Sequence, residues 1–385
     1  MKQFRVVLTG GGIGGHIFPL LAVAQELKKQ TAGFQLLIDM RYFGAAYEFA
    51  QEIVDNDIEF VPILSSKLRR YWSILNIFDF FKFTFSIPQL MWKLFWFMPD
   101  VIFSKGGPGA LAVVLVGRFY RIPVVIHESD SIPGLTNIIS GKMAKKIFLA
   151  FSPAAEYFKN KDIEISGNPV RQSLLNQRMM IGAEEISAKE NAKKGFGLNV
   201  ADPIILIMGG SQGAEKLNDF VIENLDSLLM EFQVLHQVGP LKYESYKKEV
   251  EFITKSWSEM EKGRYIFRPF FENDLADALT AADIVISRAG SGSLFEIAAF
   301  AKPSILVPLE RSAKDHQKEN ARTYIENGAG YMLSEENMIG GLMVDKIKSI
   351  LGNPELYAKM SQAAQSFYRP DAAAVIAKYL IGFIS

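Results

Sequence analysis

The residues with the clearest chemical potential lie in Thr9–Pro19, TGGGIGGHIFP, between a short apolar run (Phe4–Leu8) and a helix-patterned segment (Leu20–Lys29). Its five glycines let the backbone take positive φ and let a ligand come close, while free N–H groups at a helix start attract an anion. A phosphate site is predicted here. Gly10, Gly12 and Gly15 have the G-x-G-x-x-G spacing, and Asp39 ends the next apolar run about where a ribose-binding acid would stand. Taken alone, that pattern describes a nicotinamide-dependent dehydrogenase, but it leaves His16 unexplained. At a helix N-terminus the dipole disfavours imidazolium, so His16 is expected to be neutral and able to accept a proton. The plainer reading is a histidine capping its own loop.

A second glycine loop, Met208–Ala214 (MGGSQGA), again follows an apolar run and precedes a helix, offering N–H groups and the Ser211 hydroxyl to a phosphate. Further on, a strand ends at Ser287, the loop Arg288–Ser293 carries two glycines, and Glu296 falls in the first turns of the next helix. A carboxylate there can accept hydrogen bonds from both hydroxyls of a ribose; otherwise it offsets the helix dipole. Asp315-His316-Gln317 and Asn320 form a polar cluster suited to sugar hydroxyls, or else a surface loop. In the first half, Val124–Glu128 carries a strand directly into His127, Glu128 and the Ser129-Asp130-Ser131 turn, and a strand's carboxyl end is where a catalytic group belongs. Asp55 and Asp57 imitate a metal-binding D-x-D but precede a strand and read as a turn. No His/Asp/Glu cluster has metal-ligand spacing, so no metal or cofactor is expected.

The elements that must hold these groups alternate. Strand-like runs at Phe4–Leu8, Gln35–Ile38, Glu59–Ile63, Val101–Phe103, Pro123–Ile126 and Lys146–Leu149 are separated by helical stretches, and the series restarts at Pro203–Met208, Gln233–Leu235, Tyr265–Phe267, Ile284–Ser287 and Ser304–Val307. This is an α/β chain of two doubly wound, Rossmann-like domains with parallel sheets. At 385 residues, 49% of them hydrophobic, the chain can fill two cores. The expected division is 1–165, 166–365 and a last helix, Ala372–Ile384 within 366–385, that docks elsewhere. Lys+Arg and Asp+Glu balance at 42 each, which gives no overall field for nucleic acid. With no cysteine, thiol catalysis and thiolate metal sites are excluded. The opening residues have no signal-peptide pattern, so a cytoplasmic protein is expected.

Leu68–Met98 is different in kind, with eleven aromatic residues between Tyr71 and Phe97 and Lys67, Arg69, Arg70, Lys82 and Lys93 around them. Asp79, Lys82, Pro88 and Lys93 interrupt every run long enough to span a bilayer, so two amphipathic helices meeting near Pro88 are predicted. Trp72, Phe81, Trp92 and Trp96 beside cations suit an anionic membrane surface; the competing reading places the rings in the core.

GGGIGGHIFPLLAVAQEL, HESDSIPGLTN, SGNPVR, MGGSQGA, RAGSGSLFEIAAFAKPSILVPL and DHQKENA, in this order, resemble the bacterial MurG family, and together they run from Thr9 to Ala321. The resemblance implies a GT-B fold whose two domains face a central cleft. It also implies inverting transfer of N-acetylglucosamine from UDP-N-acetylglucosamine to the C4 hydroxyl of the undecaprenyl-linked muramyl-peptide acceptor, lipid I, giving lipid II for peptidoglycan at the cytoplasmic face of the plasma membrane. It implies donor contacts from Arg171, Ser211, Gln212, Phe271, Glu296, Gln317 and Asn320, and acceptor contacts from Gly12, Gly14, Gly15 and Asp130. His16 is the first choice of general base and Glu128 the second.

The sequence departs from the family pattern on the acceptor side. Ile13 stands where threonine is usual, Ser129-Asp130 replaces a common Gln-Asn, and Pro108-Gly109 replaces an aromatic and its neighbour in a third glycine-rich loop. The alternatives are a UDP-sugar transferase acting on another membrane lipid such as diacylglycerol, a nicotinamide-dependent dehydrogenase, and a non-catalytic sugar-nucleotide sensor.

Overall fold

The computed structural model describes residues 2–33, 36–45, 47–65, 75–181, 185–210, 213–271, 274–310 and 315–384. The chain divides into two compact units, Met1–Gln172 with Arg369–Ser385, and Ser173–Tyr368. In the first, the strands β1 (Lys2–Thr9), β2 (Leu36–Gly44), β3 (Glu59–Pro62), β4 (Val101–Ser104), β5 (Val124–Glu128), β6 (Lys146–Leu149) and β7 (Ile163–Ile165) form a sheet in the order β3-β2-β1-β4-β5-β6-β7. In the second, β8 (Ile204–Met208), β9 (Gln233–Gln237), β10 (Tyr265–Arg268), β11 (Ile284–Ser287), β12 (Ser304–Leu306) and β13 (Gly330–Met332) run β10-β9-β8-β11-β12-β13. Every strand pair in both sheets is parallel, for example Val6 against Met40 and Val101, and Leu206 against Leu235 and Val285.

Parallel strands covered on both faces are apolar along their whole length, and side chains alternate between the two layers. Phe4, Val6 and Leu8 of β1 point into one layer with Val101 and Phe103 of β4, while Val7 and Ile102 point into the other. The first layer is closed by the helices Gly14–Thr31 and Ala372–Ile381. Ile376, Ala377 and Leu380 are buried there, and Gln30 Nε2 donates to the Ala374 carbonyl at 3.1 Å. The second layer is closed by the helices Leu75–Phe97 and Ala110–Phe119.

Two expectations change. From Leu75 to Phe97 the aromatic stretch is one helix that runs through Pro88, not two; residues 68–74 lie outside the described residues. Proline deprives a helix of one internal hydrogen bond, and here the buried Leu90, Leu94 and Phe97 continue the same packed face beyond it. β2 runs to Gly44 rather than ending at Ile38, which leaves Asp39 in the body of the strand, paired with Arg41 at 3.4 Å. A ribose-binding acid must stand at the carboxyl end, so the dehydrogenase fingerprint fails there.

Candidate functional site

In the first sheet the winding reverses between β1 and β4, so the loops that follow those two neighbouring strands lie at the switch point of the sheet, at its carboxyl edge. Lys105 N–H donates to the Thr9 carbonyl at 2.9 Å and Tyr42 of β2 donates to the Gly10 carbonyl at 2.9 Å, fixing both loops. They then press together. A Cβ on Gly107, whose φ is 86°, would lie 2.7 Å from the Gly11 nitrogen, and a Cβ on Gly11 would collide with the His16 ring. Only glycine permits this approach. Gly15, by contrast, is exposed and faces open space, Gly12 is half-buried and Gly14 buried.

His16 therefore sits in the first turn of its helix, wedged by the two loops. Its Nδ1 is buried with no hydrogen-bond partner among the described residues. Burial, reinforced by the nearby Lys105 cation and opposed by Asp130, lowers its pKa to about 4. The ring is neutral near physiological pH, with one nitrogen unengaged.

Glu128 closes β5 and is 4% exposed. Its Oε1 accepts from the Asp130 N–H at 2.9 Å, and its Oε2 accepts from the Gly134 N–H at 3.2 Å and from Asn137 Nδ2 at 2.9 Å. Burial and the Asp130 charge raise its pKa, against those three donors. The carboxylate thus organises the Ser129–Gly134 turn from within, and Asp130 stands half-buried on that turn.

Sequence reasoning passed over Lys105, which is 2% exposed. Its Nζ lies 2.8 Å from His127 Nδ1, 2.5 Å from Ser129 Oγ and 3.0 Å from Asn168 Oδ1. Burial draws its pKa down to about 7, while Glu128 and Asp130 hold it up. A lysine closing a buried strand just ahead of two glycines is the signal that could have marked it. Arg171 belongs to this unit too, its guanidinium 4.5 Å from the centre of the Phe18 ring.

In the second sheet the reversal falls between β8 and β11. Gly209 and Gly210 follow β8, with Gly210 at φ 80°; Ser211 and Gln212 lie outside the described residues. After β11, the helix Ser291–Ala299 begins behind Gly290 and carries a half-buried Glu296 in its second turn. Ser291 Oγ, at the start of that helix, is buried without a hydrogen-bond partner among the described residues, a second group that sequence reasoning missed. Asn320 is fully buried and its amide donates to the Ala289 carbonyl at 3.3 Å, so it braces this loop. Gln317 Oε1 accepts from the Leu309 N–H at 3.0 Å, tying the end of β12 to the helix His316–Glu326. Phe271 is buried and its N–H donates to Gln237 Oε1 at 3.1 Å, while Gln237 Nε2 reaches the Gly210 carbonyl at 3.3 Å. Behind the loop, Arg288 pairs with Glu335 at 2.6 Å, and Glu335 also meets Lys216 at 2.6 Å. Among the described residues no group of three or more His, Asp or Glu side chains is placed to hold a metal ion.

The helix Leu75–Phe97 is apolar on both faces. Its inner face is core, whereas Phe81, Phe85, Trp92, Phe95 and Trp96 are between 52% and 68% exposed, with exposed Phe119 of the neighbouring helix and exposed Lys82, Arg118 and Arg121. The side-chain contacts of Trp72 lie outside the described residues. Among them no helix is long and apolar enough to cross a membrane.

Two doubly wound parallel sheets, each with a glycine loop at its winding reversal, make a two-domain Rossmann-like architecture, and comparison with known proteins places it among the glycosyltransferases. Residues 6–149 match the glycosyltransferase family 28 N-terminal domain and residues 204–376 its C-terminal domain. The chain belongs to glycosyltransferase family 28 and has the GT-B fold. It is 36% identical over 349 residues, 90% of this chain and 88% of the relative, to the UDP-N-acetylglucosamine--N-acetylmuramyl-(pentapeptide) pyrophosphoryl-undecaprenol N-acetylglucosamine transferase of Legionella pneumophila strain Paris. It is 33% identical to the transferase of the same name from Treponema denticola, over 99% of this chain and 98% of that one. The crystal structure of Acinetobacter baumannii MurG superposes with a TM-score of 0.70 at 25% identity, covering 98% of this chain and 99% of the other.

Proposed function

We infer that this protein transfers N-acetylglucosamine from UDP-N-acetylglucosamine to the C4 hydroxyl of a lipid-linked N-acetylmuramyl-peptide, making lipid II from lipid I for peptidoglycan. The observation that carries the reading is the pairing of two glycine loops at winding reversals, one beside a neutral, unengaged His16 and one beside an unpartnered Ser291 hydroxyl and Glu296. The second unit takes the donor: N–H groups of the loop at Gly209–Gly213, with Ser211 and Gln212, meet the diphosphate, Glu296 meets the ribose, and Gln317, with Asn320 bracing the loop, meets the sugar. Phe271 lines the uracil side, and Arg171 adds positive charge for the departing UDP. The first unit takes the acceptor diphosphate on Gly12, Gly14 and Gly15, with Asp130 toward the muramyl sugar.

The acceptor hydroxyl attacks the anomeric carbon from the face opposite UDP, inverting it. His16 is unprotonated near neutral pH and receives the hydroxyl proton as the new bond forms, when that proton is most acidic. Glu128, with both carboxylate oxygens occupied, holds the acceptor turn in shape. Backbone dipoles and Arg171 stabilise the charge on UDP, so the reaction needs no divalent metal or cofactor in this reading. The exposed rings of Phe81, Trp92 and Trp96, with Trp72, rest on anionic lipid at the cytoplasmic face of the membrane, where a lipid-linked acceptor is found.

Radiolabelled UDP-N-acetylglucosamine offered with lipid I and diacylglycerol side by side tests the reading. Label is expected in the lipid I product; label in diacylglycerol alone, or in neither, refutes it.

A further inference from the structure

Lys105 takes part in no step of the transfer, yet its Nζ is buried within a polar network. His127 Nε2 lies 2.9 Å from the Gly167 carbonyl, which can only accept, so Nε2 carries the ring proton and Nδ1 is left to accept from Lys105. With Ser129 Oγ and Asn168 Oδ1, three acceptors meet the three N–H bonds of one ammonium. They come from the ends of β5 and β7, whereas Lys105 follows β4. The titratable groups coupled to the ammonium are Glu128 and Asp130, whose carboxylates favour its charge, and His16 and His127, whose rings burial and the ammonium hold neutral. Asp130 brings a negative charge to a surface that, in the acceptor reading, must receive a diphosphate.

We propose that Lys105 is a positioning residue for the acceptor: its ammonium locks the loops after β4, β5 and β7 into one surface and cancels the Asp130 charge, so that a diphosphate-bearing lipid is accepted rather than repelled. The proposal rests on the acceptor assignment above and explains two departures from the family pattern as one unit. Ser129 supplies an acceptor to the lysine, and Asp130 is tolerated because of it.

The test compares wild type, Lys105→Met, Asp130→Asn and the double variant in the full-length chain. Two readouts are used: KM for each substrate in the transfer reaction, and binding of a short-chain prenyl diphosphate, which needs no turnover. Lys105→Met is expected to raise the acceptor KM and weaken prenyl diphosphate binding about tenfold, equivalent to about 1.4 kcal/mol, while KM for UDP-N-acetylglucosamine moves less than about twofold. Adding Asp130→Asn is expected to restore most of the lost binding of prenyl diphosphate, which carries no muramyl sugar, a coupling of the size seen between interacting charges. Unchanged prenyl diphosphate binding in Lys105→Met, or strictly additive effects in the double variant, overturns the proposal. Should Lys105→Met fail to fold, Ser129→Ala removes one acceptor without altering charge. It is expected to weaken the probe about threefold, and unchanged binding overturns the proposal equally. Lys105-dependent binding of the probe by an enzyme that does not glycosylate lipid I would refute the transfer reading and leave this one standing.

Discussion

Replacing Glu128 by glutamine separates an organising carboxylate from a catalytic one. The native group accepts three hydrogen bonds, one on Oε1 and two on Oε2, at 4% exposure. Glutamine can turn its oxygen toward only one side. The better choice keeps Gly134 N–H and Asn137 Nδ2 satisfied and sets the new NH2 against the Asp130 N–H, so one charge-assisted bond is lost and two donors face each other. A buried unsatisfied donor costs about 1–3 kcal/mol, and hydrogen bonds to a charged group contribute about 1.5–3 kcal/mol. Relief of the burial that raises the Glu128 pKa offsets part of this. A net loss of about 2 kcal/mol is expected, which for a unit of this size lowers Tm by about 4–8 °C. Calorimetry should show that shift in the transition of the first unit. Kinetics should show a raised acceptor KM with kcat reduced less than about tenfold, since no proton transfer is removed. A Tm unchanged within about 1 °C, together with a kcat loss of more than about a thousandfold, would refute the reasoning and make Glu128 the base.

Five further outcomes follow from the same geometry. His16→Gln should lower kcat at least about a hundredfold with little change in Tm, as measured by single-turnover transfer. A base must be unprotonated, so activity that depends on His16 is lost as pH falls through its folded pKa of about 4; removing the Lys105 cation should move this acid limb upward, toward the ordinary imidazole range, in a pH–rate profile. Gly11→Ala places a methyl group against the His16 ring and should cost about 1–3 kcal/mol in stability while cutting kcat, as measured by thermal unfolding and turnover. Trp92→Ser with Trp96→Ser should reduce co-sedimentation with anionic vesicles several-fold and leave transfer to a soluble acceptor analogue nearly unchanged; equal vesicle binding would deny these rings a lipid role. Glu296→Gln should weaken UDP-N-acetylglucosamine about tenfold in calorimetric titration, since an amide accepts fewer ribose bonds than a carboxylate.

The doubly wound class was legible because glycine loops follow the central strands β1 and β8, whose apolar runs, interrupted only by Arg5 in β1, announce parallel sheet. Edges were less so. β7 and β13 are three-residue strands with half-buried or, at Ile165, exposed side chains, too short for any periodicity to register. β2 was cut short because Asp39 and Arg41 break its apolar run, although Met40, Tyr42 and Phe43 carry it into the core. His16 could be read from its place at a helix start, where a glycine loop leaves a lone ionisable side chain. Lys105 could not, because its meaning lies in partners 22, 24 and 63 positions away, and such proximity is a property of the folded sheet alone.

The docking of Ala372–Ile381 onto Gly14–Thr31 bears on how the two cores close. The second unit is one continuous segment, whereas the first is made of two segments of the chain. Its leading helix is covered by Ile376, Ala377 and Leu380, and the hydrogen bond from Gln30 to Ala374 joins residues 344 positions apart. Contacts so distant in sequence close slowly, so the core of the first unit is completed by an encounter that the second unit does not need.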